Sequence, residues 1–404
     1  MRSVGDHLQA CLEIVGPLPP LAVALPDAVG CVLADDVVAP SDLPVTDRAA
    51  TDGYAVRSSD VTEADVREVS LVVVDDVRAG SAGPVRLPAG AAVLIASGAP
   101  LPEESDAVVE LAFTDRGRAK VGVRRAVSAG SGVRRRASEA SAGEVVLRAG
   151  ERVGPRELAL VAALGRGRIE VHPKPRVVII SVGDELVEPG KPARAGQVFD
   201  ANSHALASGV ADAGAVAIRV GAAPDSYGAL RELIEDQLVR ADLVITTGGL
   251  SLGEGDTVSD VIGPLGNVRF DDVALSPGRR LGVGTLGEEE FPTPVLCLPG
   301  DPVAVQVAYE AFVRPALLHM AGHPNLYRPT VRARAGSEWA SAVGVREFVP
   351  VRLVGSPREG YRWDPVARAG ALTGLVRANA YAVIPEGTGT LSAGAEVPCL
   401  LLEE

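Results

Sequence analysis

The order of apolar segments between residues 176 and 247 constrains the fold of this chain more than any other feature. Residues 177–180 are apolar without alternation, as is typical of a parallel strand covered on both faces. A helical pattern, a strand at 216–220, a second helical pattern at about 225–240 and a strand at 243–246 follow. This β-α-β-α-β order predicts a doubly wound parallel sheet, which binds ligands at the carboxyl ends of its strands.

The rest of the chain divides by changes in pattern. Apolar helical patterns in residues 1–45 and 140–172 predict one elongated helical or linker domain, and short Val-rich runs among Gly and Pro predict an inserted β-rich domain over 46–139. The α/β domain spans 173–325, and residues 326–404 predict a C-terminal β barrel or sandwich. The predicted fold class is therefore multidomain α/β with a central doubly wound parallel sheet.

Charge and apolar content exclude some classes of protein. The formal net charge of −13 disfavours a nucleic-acid binder, which needs excess Lys and Arg against phosphates. No stretch approaches the roughly 18 apolar residues of a membrane span, and the amino terminus has no signal-peptide pattern. We therefore expect a cytoplasmic protein without nucleic-acid or membrane partners. Its ligands are expected to be small molecules.

Three loops that follow predicted strands carry the candidate site. Residues 246–256 (TTGGLSLGEGD) can cradle an anion with backbone N–H groups, and residues 181–186 (SVGDEL) present two carboxylates for metal coordination or proton transfer. In residues 298–303 (LPGDPV), Asp301 is placed as a helix N-cap with Pro302 at the first helical position. Each loop alone also fits a turn, solvated acids or a capped helix without chemistry. Convergence of all three at one edge of a sheet favours a ligand site.

Together these loops resemble the pterin-binding domain of the molybdopterin molybdenumtransferase family, to which the E domain of gephyrin also belongs. The similarity extends along most of the chain. DRAATDGYAV at 47–56 resembles the family's Ser-Ala-Met-Asp-Gly-Tyr-Ala signature, with Thr51 in place of Met. Further similar segments lie at 96–102, 106–109, 197–202, 346–348 and 378–381.

The resemblance implies an enzyme of molybdenum cofactor biosynthesis, which inserts molybdate into adenylylated molybdopterin and releases AMP with the help of Mg²⁺. It implies catalytic roles for Asp52, Glu185, Asp256 and Arg279, with Glu185 and Asp256 as metal ligands. The residues that it implies for substrate binding are Arg135, Arg136, Gly183, Asp184, Asp200, Asn202, Gly248, Gly249, Ser251, Gly253, Ser276, Arg280, Pro299, Gly300, Asp301 and Pro302. It also implies a homodimer, in which Asp52 reaches the partner's pterin domain, and other cofactor-biosynthesis proteins as partners.

The chain departs from the family's pattern at several of these positions. Ser276 and Arg279 stand where the family has lysines, Asp301 replaces an Asn, and Glu139 follows the Arg run at 134–136 where an Asp is usual. Because Arg and Lys differ as oxyanion ligands, a divergent non-catalytic carrier or scaffold that binds molybdopterin is the alternative function. The related adenylyltransferase is disfavoured, since that enzyme is usually the α/β domain alone.

Overall fold

The computed structural model describes residues 1–81, 86–250 and 256–402. A six-stranded sheet forms the centre of the molecule, with strand order β2-β1-β3-β6-β5-β4. Its strands are β1 (Arg176–Val182), β2 (Val216–Ala223), β3 (Leu243–Thr247), β4 (Gly266–Asp272), β5 (Arg280–Leu286) and β6 (Thr293–Leu298). β1 pairs in parallel with β2 and β3, and β3 with β6, whereas β5 is antiparallel to β6 and β4. The predicted parallel sheet is confirmed, and an antiparallel edge extends it.

Helices cover both faces of this sheet, as a doubly wound fold requires. Val177 and Ile179 of β1 pack on one side with Leu206 and Phe312, while Val178 and Ile180 pack on the other with Leu230. The covering helices are Asn202–Asp212, Tyr227–Leu238, Thr257–Ile262 and a continuous helical segment made of Pro302–Ala308, the π-helical Tyr309–Val313 and Arg314–Met320. Because side chains of a strand point alternately to the two faces, the unbroken apolar run of β1 supplies both cores.

The amino-terminal helix, Val4–Glu13, packs on the α/β domain and not on the domain predicted for residues 1–45. Its Val4 and Cys11 are buried in the same core as Phe312, and the His7 ring meets the Phe312 ring edge-on at 4.8 Å. Arg2 also forms an ion pair with Asp271 of β4, at 3.1 Å. The apolar stripe of this helix indicated that one face is buried, but it did not indicate which domain covers that face. The prediction that residues 1–45 belong to one domain was therefore wrong for this helix.

The remainder of that predicted domain is built mainly of strands, with one helix, Pro155–Ala163. A single core joins residues 28–39 with residues 140–171. Its strands are Leu21–Ala24, Val32–Leu33, Val37–Val38, Val145–Leu147 and Arg168–His172. The helical pattern predicted within 140–172 is present as this helix, but the description of the whole unit as helical needs correction, because its other apolar runs are short strands.

Residues 46–139 form a separate five-stranded sheet with apolar clusters on both faces. Its strands are Gly53–Val56, Val69–Val77, Ala91–Ile95, Ala107–Glu110 and Lys120–Val123. A two-stranded pairing of Arg48–Ala49 with Val133–Arg134 joins its entry and exit, and short 3-10 helices lie at Ser58–Val61 and Leu111–Phe113.

The C-terminal region closes into a five-stranded barrel, which confirms the predicted β domain and selects the barrel. Closure occurs because strand Arg346–Ser356 pairs with Gly360–Pro365 on one side and Ala380–Ile384 on the other. Strands Thr330–Ala335 and Glu396–Leu401 complete the barrel, and the short helix Leu372–Leu375 lies between two of its strands. Strand Leu275–Ser276 adds to Arg346–Ser356 in parallel and links the barrel to the α/β domain.

Small elements complete the description. Leu186–Val187 pairs with Val198–Phe199, Trp339–Ala340 pairs with Thr390–Leu391, and Gly263–Leu265 is a 3-10 helix. Among the helices of the described residues, none is long and apolar enough to cross a membrane.

Candidate functional site

Hydrogen bonds tie together the carboxyl ends of β3 and β6 with the start of a helix. The Asn202 side-chain amide donates to Thr247 Oγ1 at 3.0 Å and to the Gly300 carbonyl at 2.8 Å. Thr247 Oγ1 in turn donates to the Pro299 carbonyl at 2.7 Å. Asn202 Oδ1 is buried and has no hydrogen-bond partner among the described residues. The predicted loops 246–256 and 298–303 thus meet at one edge of the sheet, where Asn202 Oδ1 remains as a hydrogen-bond acceptor.

The chain after β3 needs glycine at two successive positions. Gly248 has φ +84°, and a Cβ there would lie 2.4 Å from the Val182 carbonyl oxygen. Gly249 has φ +63°, and its Cβ would lie 2.6 Å from Val258 Cγ2. Only glycine fits both the left-handed backbone and the close approach. The predicted site residues Ser251 and Gly253 lie outside the described residues.

Asp200 is buried, and its carboxylate bonds to other groups of the protein, so it is not placed to contact a ligand. Its carboxylate is 1% exposed and accepts from Ser181 Oγ at 2.9 Å and from the Ser203 backbone N–H at 3.0 Å. The Ser203 hydroxyl donates to its second oxygen at 2.5 Å. The sequence predicted substrate binding for Asp200. The geometry instead gives it a positioning role, because it fastens the end of β1 to the helix that carries Asn202.

The two predicted metal ligands have different surroundings. Glu185 is exposed, and its carboxylate folds over Gly183, where an added Cβ would meet Glu185 Oε2 at 2.6 Å. Asp256 is the N-cap of helix Thr257–Ile262, accepts from the Ser259 N–H at 3.2 Å and lies 3.5 Å from Arg280 Nη2. Asp184, beside Glu185, accepts from the Asp225 N–H at 3.0 Å. Within the described ranges, no group of three or more His, Cys, Asp or Glu side chains is arranged to hold a metal ion.

The two arginines after β4 are held differently. Arg280 is 29% exposed, pairs with Asp256 and lies over the Phe270 ring at 6.0 Å, and its Nε is buried without a partner in the described part of the chain. Arg279 is 57% exposed and pairs with Asp272 at 3.3 Å. Arg280 is therefore the more firmly held cation at this edge of the sheet.

The loop before these arginines packs on the next helix. Gly278 has φ +90°, and a Cβ there would meet Ala304 Cβ at 2.8 Å. Asp301 caps that helix by accepting from the Ala304 N–H at 2.8 Å, with Pro302 as its first residue. This confirms the cap predicted from the sequence. One oxygen of the Asp301 carboxylate is therefore occupied by the hydrogen bond that caps this helix.

A cavity of about 320 Å³ lies where this loop faces the C-terminal barrel. The α/β domain contributes Ser276 and Asp301, and the barrel contributes Trp339 and Glu347, whose side chains are joined by a hydrogen bond of 3.0 Å from Trp339 Nε1. Ser276 is also paired in register with Glu347. The sequence did not nominate Trp339 or Glu347. The only signal was the similar segment at 346–348, which carries no indication of what it faces.

The remaining predicted residues, Asp52, Arg135 and Arg136, all lie in the inserted domain, 46–139. Asp52 is exposed and accepts from the Ser97 N–H at 2.7 Å. Arg135 pairs with Asp47 at 3.2 Å and Arg136 with Asp42.

The Ala142 backbone N–H and the Arg136 guanidinium hold the pKa of Asp42 below its usual range.

Across the described residues, no hydrogen bond or ion pair joins 46–139 to 173–325. Within a single chain, no described bond therefore links the domain of Asp52 to the strand-end site.

Cys297 in β6 is excluded as a nucleophile of the site. Burial raises the pKa of its thiol to about 12, so the thiolate is not populated near neutral pH.

Comparison with known proteins assigns the whole architecture. Family models match residues 2–165 (MoeA N-terminal region, domain I and II), 178–319 (probable molybdopterin binding domain) and 332–402 (MoeA C-terminal region, domain IV). The chain is 37% identical to molybdopterin molybdenumtransferase 2 of Mycobacterium tuberculosis, covering 98% of both proteins. The chain belongs to the molybdopterin molybdenumtransferase family. The corresponding protein of Nostoc sp. is 35% identical, over 93% of this chain and 87% of that one.

A solved structure supports the family assignment independently of the sequence matches. The molybdopterin biosynthesis MoeA protein of Pyrococcus horikoshii superposes with a TM-score of 0.82 and 30% identity, covering 100% of this chain and 99% of that one. The first two matched ranges contain every site residue nominated from the sequence.

Proposed function

We propose that this chain is a molybdopterin molybdenumtransferase, which inserts molybdate into adenylylated molybdopterin and releases AMP. The observation that carries the proposal is the set of bonds from Asn202 to Thr247 and Gly300, which gathers the strand ends around a glycine-rich loop. Relatives of nearly full length and 30–37% identity that bear this enzyme's name support it.

Each element of this edge suits an anionic substrate. Gly248 and Gly249 carry no side chain, so a phosphate or molybdate oxygen could approach their backbone closely. Arg280, which pairs with Asp256 and lies over Phe270, would supply positive charge once Asp256 turns from it to a cation. Asn202 Oδ1 provides the acceptor for a donor group of the substrate.

The acidic residues of the site fit a Mg²⁺ ion that arrives with substrate. Mg²⁺ usually keeps several waters and uses one or two carboxylates together with substrate phosphates, so it needs no larger protein cluster. Glu185 and Asp256 would supply these carboxylates, and the ion would offset the charge of phosphate and molybdate. In this arrangement Asp256 would loosen its ion pair with Arg280, and the guanidinium would become available to an anion.

We also propose that the active enzyme is a homodimer with Asp52 supplied from the partner subunit. Asp52 is exposed, and among the described bonds its carboxylate accepts only from the Ser97 N–H of the same domain. A second subunit offers a route for it to reach a strand-end site. Cytoplasmic location and association with other cofactor-biosynthesis proteins remain predictions.

The direct test supplies purified chain with adenylylated molybdopterin, Mg²⁺ and molybdate. Cofactor is measured by activation of a cofactor-free molybdoenzyme, and AMP is measured by chromatography. We expect both products in equal amounts. Tight molybdopterin binding with neither product would instead establish the carrier, an alternative that no comparison supports.

A further inference from the structure

A cavity of about 680 Å³ lies away from the strand-end site. It is bordered by the carboxyl end of helix Asn202–Asp212, whereas Asn202 of the candidate site is at the other end of the same helix. An 11-residue helix separates its two ends by about 15 Å at 1.5 Å per residue. The cavity is therefore at the edge of the sheet opposite to the carboxyl ends of the strands.

Three separate regions of the chain build this cavity. Gly30 and Arg152 come from the mainly β unit, Arg314 and Leu318 from the last helix of the α/β domain, and residues 323–329 from the segment that leads to the barrel. The regions approach closely. A Cβ on Gly214 would lie 3.9 Å from the Gly30 carbonyl, and one on Gly150 would lie 3.9 Å from the Pro324 ring.

Positive charge collects in the cavity although the whole chain carries −13. Its lining includes Arg152, Arg314, Arg328 and His323 but one acidic residue, Asp212. Arg328 is already neutralised by two bonds to Glu310, at 2.9 and 3.0 Å.

Arg152 and Arg314 form no ion pair or side-chain hydrogen bond with the rest of the described chain. The Lys174 ammonium adds to this charge, because it lies with the Arg152 guanidinium over Gly30. A Cβ on Gly30 would be 3.8 and 3.9 Å from the two groups.

Two local observations show that this charge is left uncompensated. Arg314 Nε is buried, and no hydrogen-bond partner for it exists in the described residues, an arrangement that buried N–H groups rarely adopt without a ligand or water. Burial, with repulsion from Arg152 and Arg314, holds the pKa of His323 below its ordinary value. An anion bound between the Arg152 and Arg314 guanidinium groups would offset this charge.

The cavity also offers contacts for an uncharged part of a ligand. Tyr327 is 60% exposed, and Leu318, Pro329 and Leu402 supply apolar surface. Its volume lies within the roughly 300–1,000 Å³ of pockets that enclose small organic ligands.

We propose that this cavity is a second anion site, which binds an organic phosphate of about nucleotide size. Arg152 and Arg314 bind the phosphate group, and Tyr327 with Leu318 receives the organic part. The site is separate from the strand-end site and does not depend on the proposed reaction.

Imidazole signals in NMR spectra of the full chain provide a local test. Only five histidines contribute, of which His323 reports on this cavity and His204, bonded to Glu188 near Asn202, reports on the strand-end side. AMP and pyrophosphate are titrated separately as probes. We expect saturable shifts of the His323 signals by both, with AMP binding more tightly than pyrophosphate.

Variants identify the residues that bind the phosphate. Arg152→Gln removes an exposed side chain and Arg314→Gln removes a half-buried one, so the first variant keeps the test valid if the second unfolds. We expect each to weaken AMP binding at His323 by about tenfold, the usual loss for one charge-assisted contact. Arg358→Gln, at an exposed hairpin turn outside the cavity, is the matched control and leaves binding unchanged.

Three outcomes would overturn the proposal. His323 signals that do not move while those of His204 do would place the only anion site at the strand ends. Equal AMP affinity in the parent and the Arg152→Gln variant would show that AMP binding does not depend on the cationic lining of the cavity. Binding of pyrophosphate without AMP would exclude an organic phosphate.

Discussion

Substitution of Glu185 and Asp256 separates the chemistry of the proposed metal site from its structural role. Glu185 is exposed, so Glu185→Ala should change the free energy of unfolding by no more than about 0.5 kcal/mol. Asp256→Ala removes a helix cap, about 1 kcal/mol, and leaves Arg280 without its partner. Because Arg280 is 29% exposed, solvent screens part of that second loss, and we expect a total of about 2 kcal/mol.

Asp256→Asn distinguishes the two roles of the carboxylate. Asn caps helices about as well as Asp, so the bond from the Ser259 N–H is retained while the charge is lost. We expect a stability close to that of the parent chain. Activity should nevertheless fall in Asp256→Asn and in Glu185→Ala by at least about a hundredfold, which corresponds to about 2.7 kcal/mol of transition-state stabilisation.

The assay combines urea unfolding with cofactor formation over a series of Mg²⁺ concentrations. A higher Mg²⁺ requirement in both variants would identify the lost group as a cation ligand. Glu232→Ala, on the exposed face of helix Tyr227–Leu238, is the control and should match the parent. Parent-like activity of Glu185→Ala at limiting Mg²⁺ would refute the assignment of this carboxylate to the metal.

Three further predictions concern the loops and the dimer. Gly248→Ala should lower the free energy of unfolding by at least about 2 kcal/mol, as measured in urea, whereas Gly221→Ala, which shares φ +84° but has open space, should cost about 1 kcal/mol. Mixed dimers of Asp52→Ala and Glu185→Ala subunits should regain activity in reconstitution assays if Asp52 acts across the interface; no recovery after verified exchange would place the site within one chain. Ser276→Lys should lower the molybdate concentration needed for cofactor formation, since a charge about 4 Å from an anion contributes about 4 kcal/mol at an effective dielectric of 20.

The central sheet could be predicted from the sequence because its signals are local. The unbroken apolar run of β1 and the helix at Tyr227–Leu238 each reveal their burial by composition and spacing. Strand β4, with the sequence GNVRFDD, lacks such a run, and only its antiparallel pairing with β5 makes it a strand. The amino-terminal helix was assigned to the wrong neighbour for the same reason, since an apolar stripe does not specify its partner.

Some features of the candidate site could likewise be predicted from the sequence, and others could not. Glycines after β3 and the Asp301 cap follow local rules of backbone geometry, and the sequence identified both. The role of Asp200 could not be read in this way, because its burial depends on Ser181, which lies 19 positions away on a different element. Glu347 reaches the cavity only because the barrel closes against the α/β domain.

The charge balance of the site follows from these longer-range placements. Ser276, where the resemblance predicts a lysine, shares its cavity with the carboxylates of Asp301 and Glu347. Since Asp256 engages Arg280, the positive charge available to an incoming anion in this conformation is small. We therefore expect molybdate binding to rely on backbone N–H groups and on a cation that would draw Asp256 away from Arg280. We therefore predict that Mg²⁺ and molybdate bind cooperatively, because each would favour the arrangement in which the guanidinium is free; equal molybdate affinity with and without Mg²⁺ would contradict this.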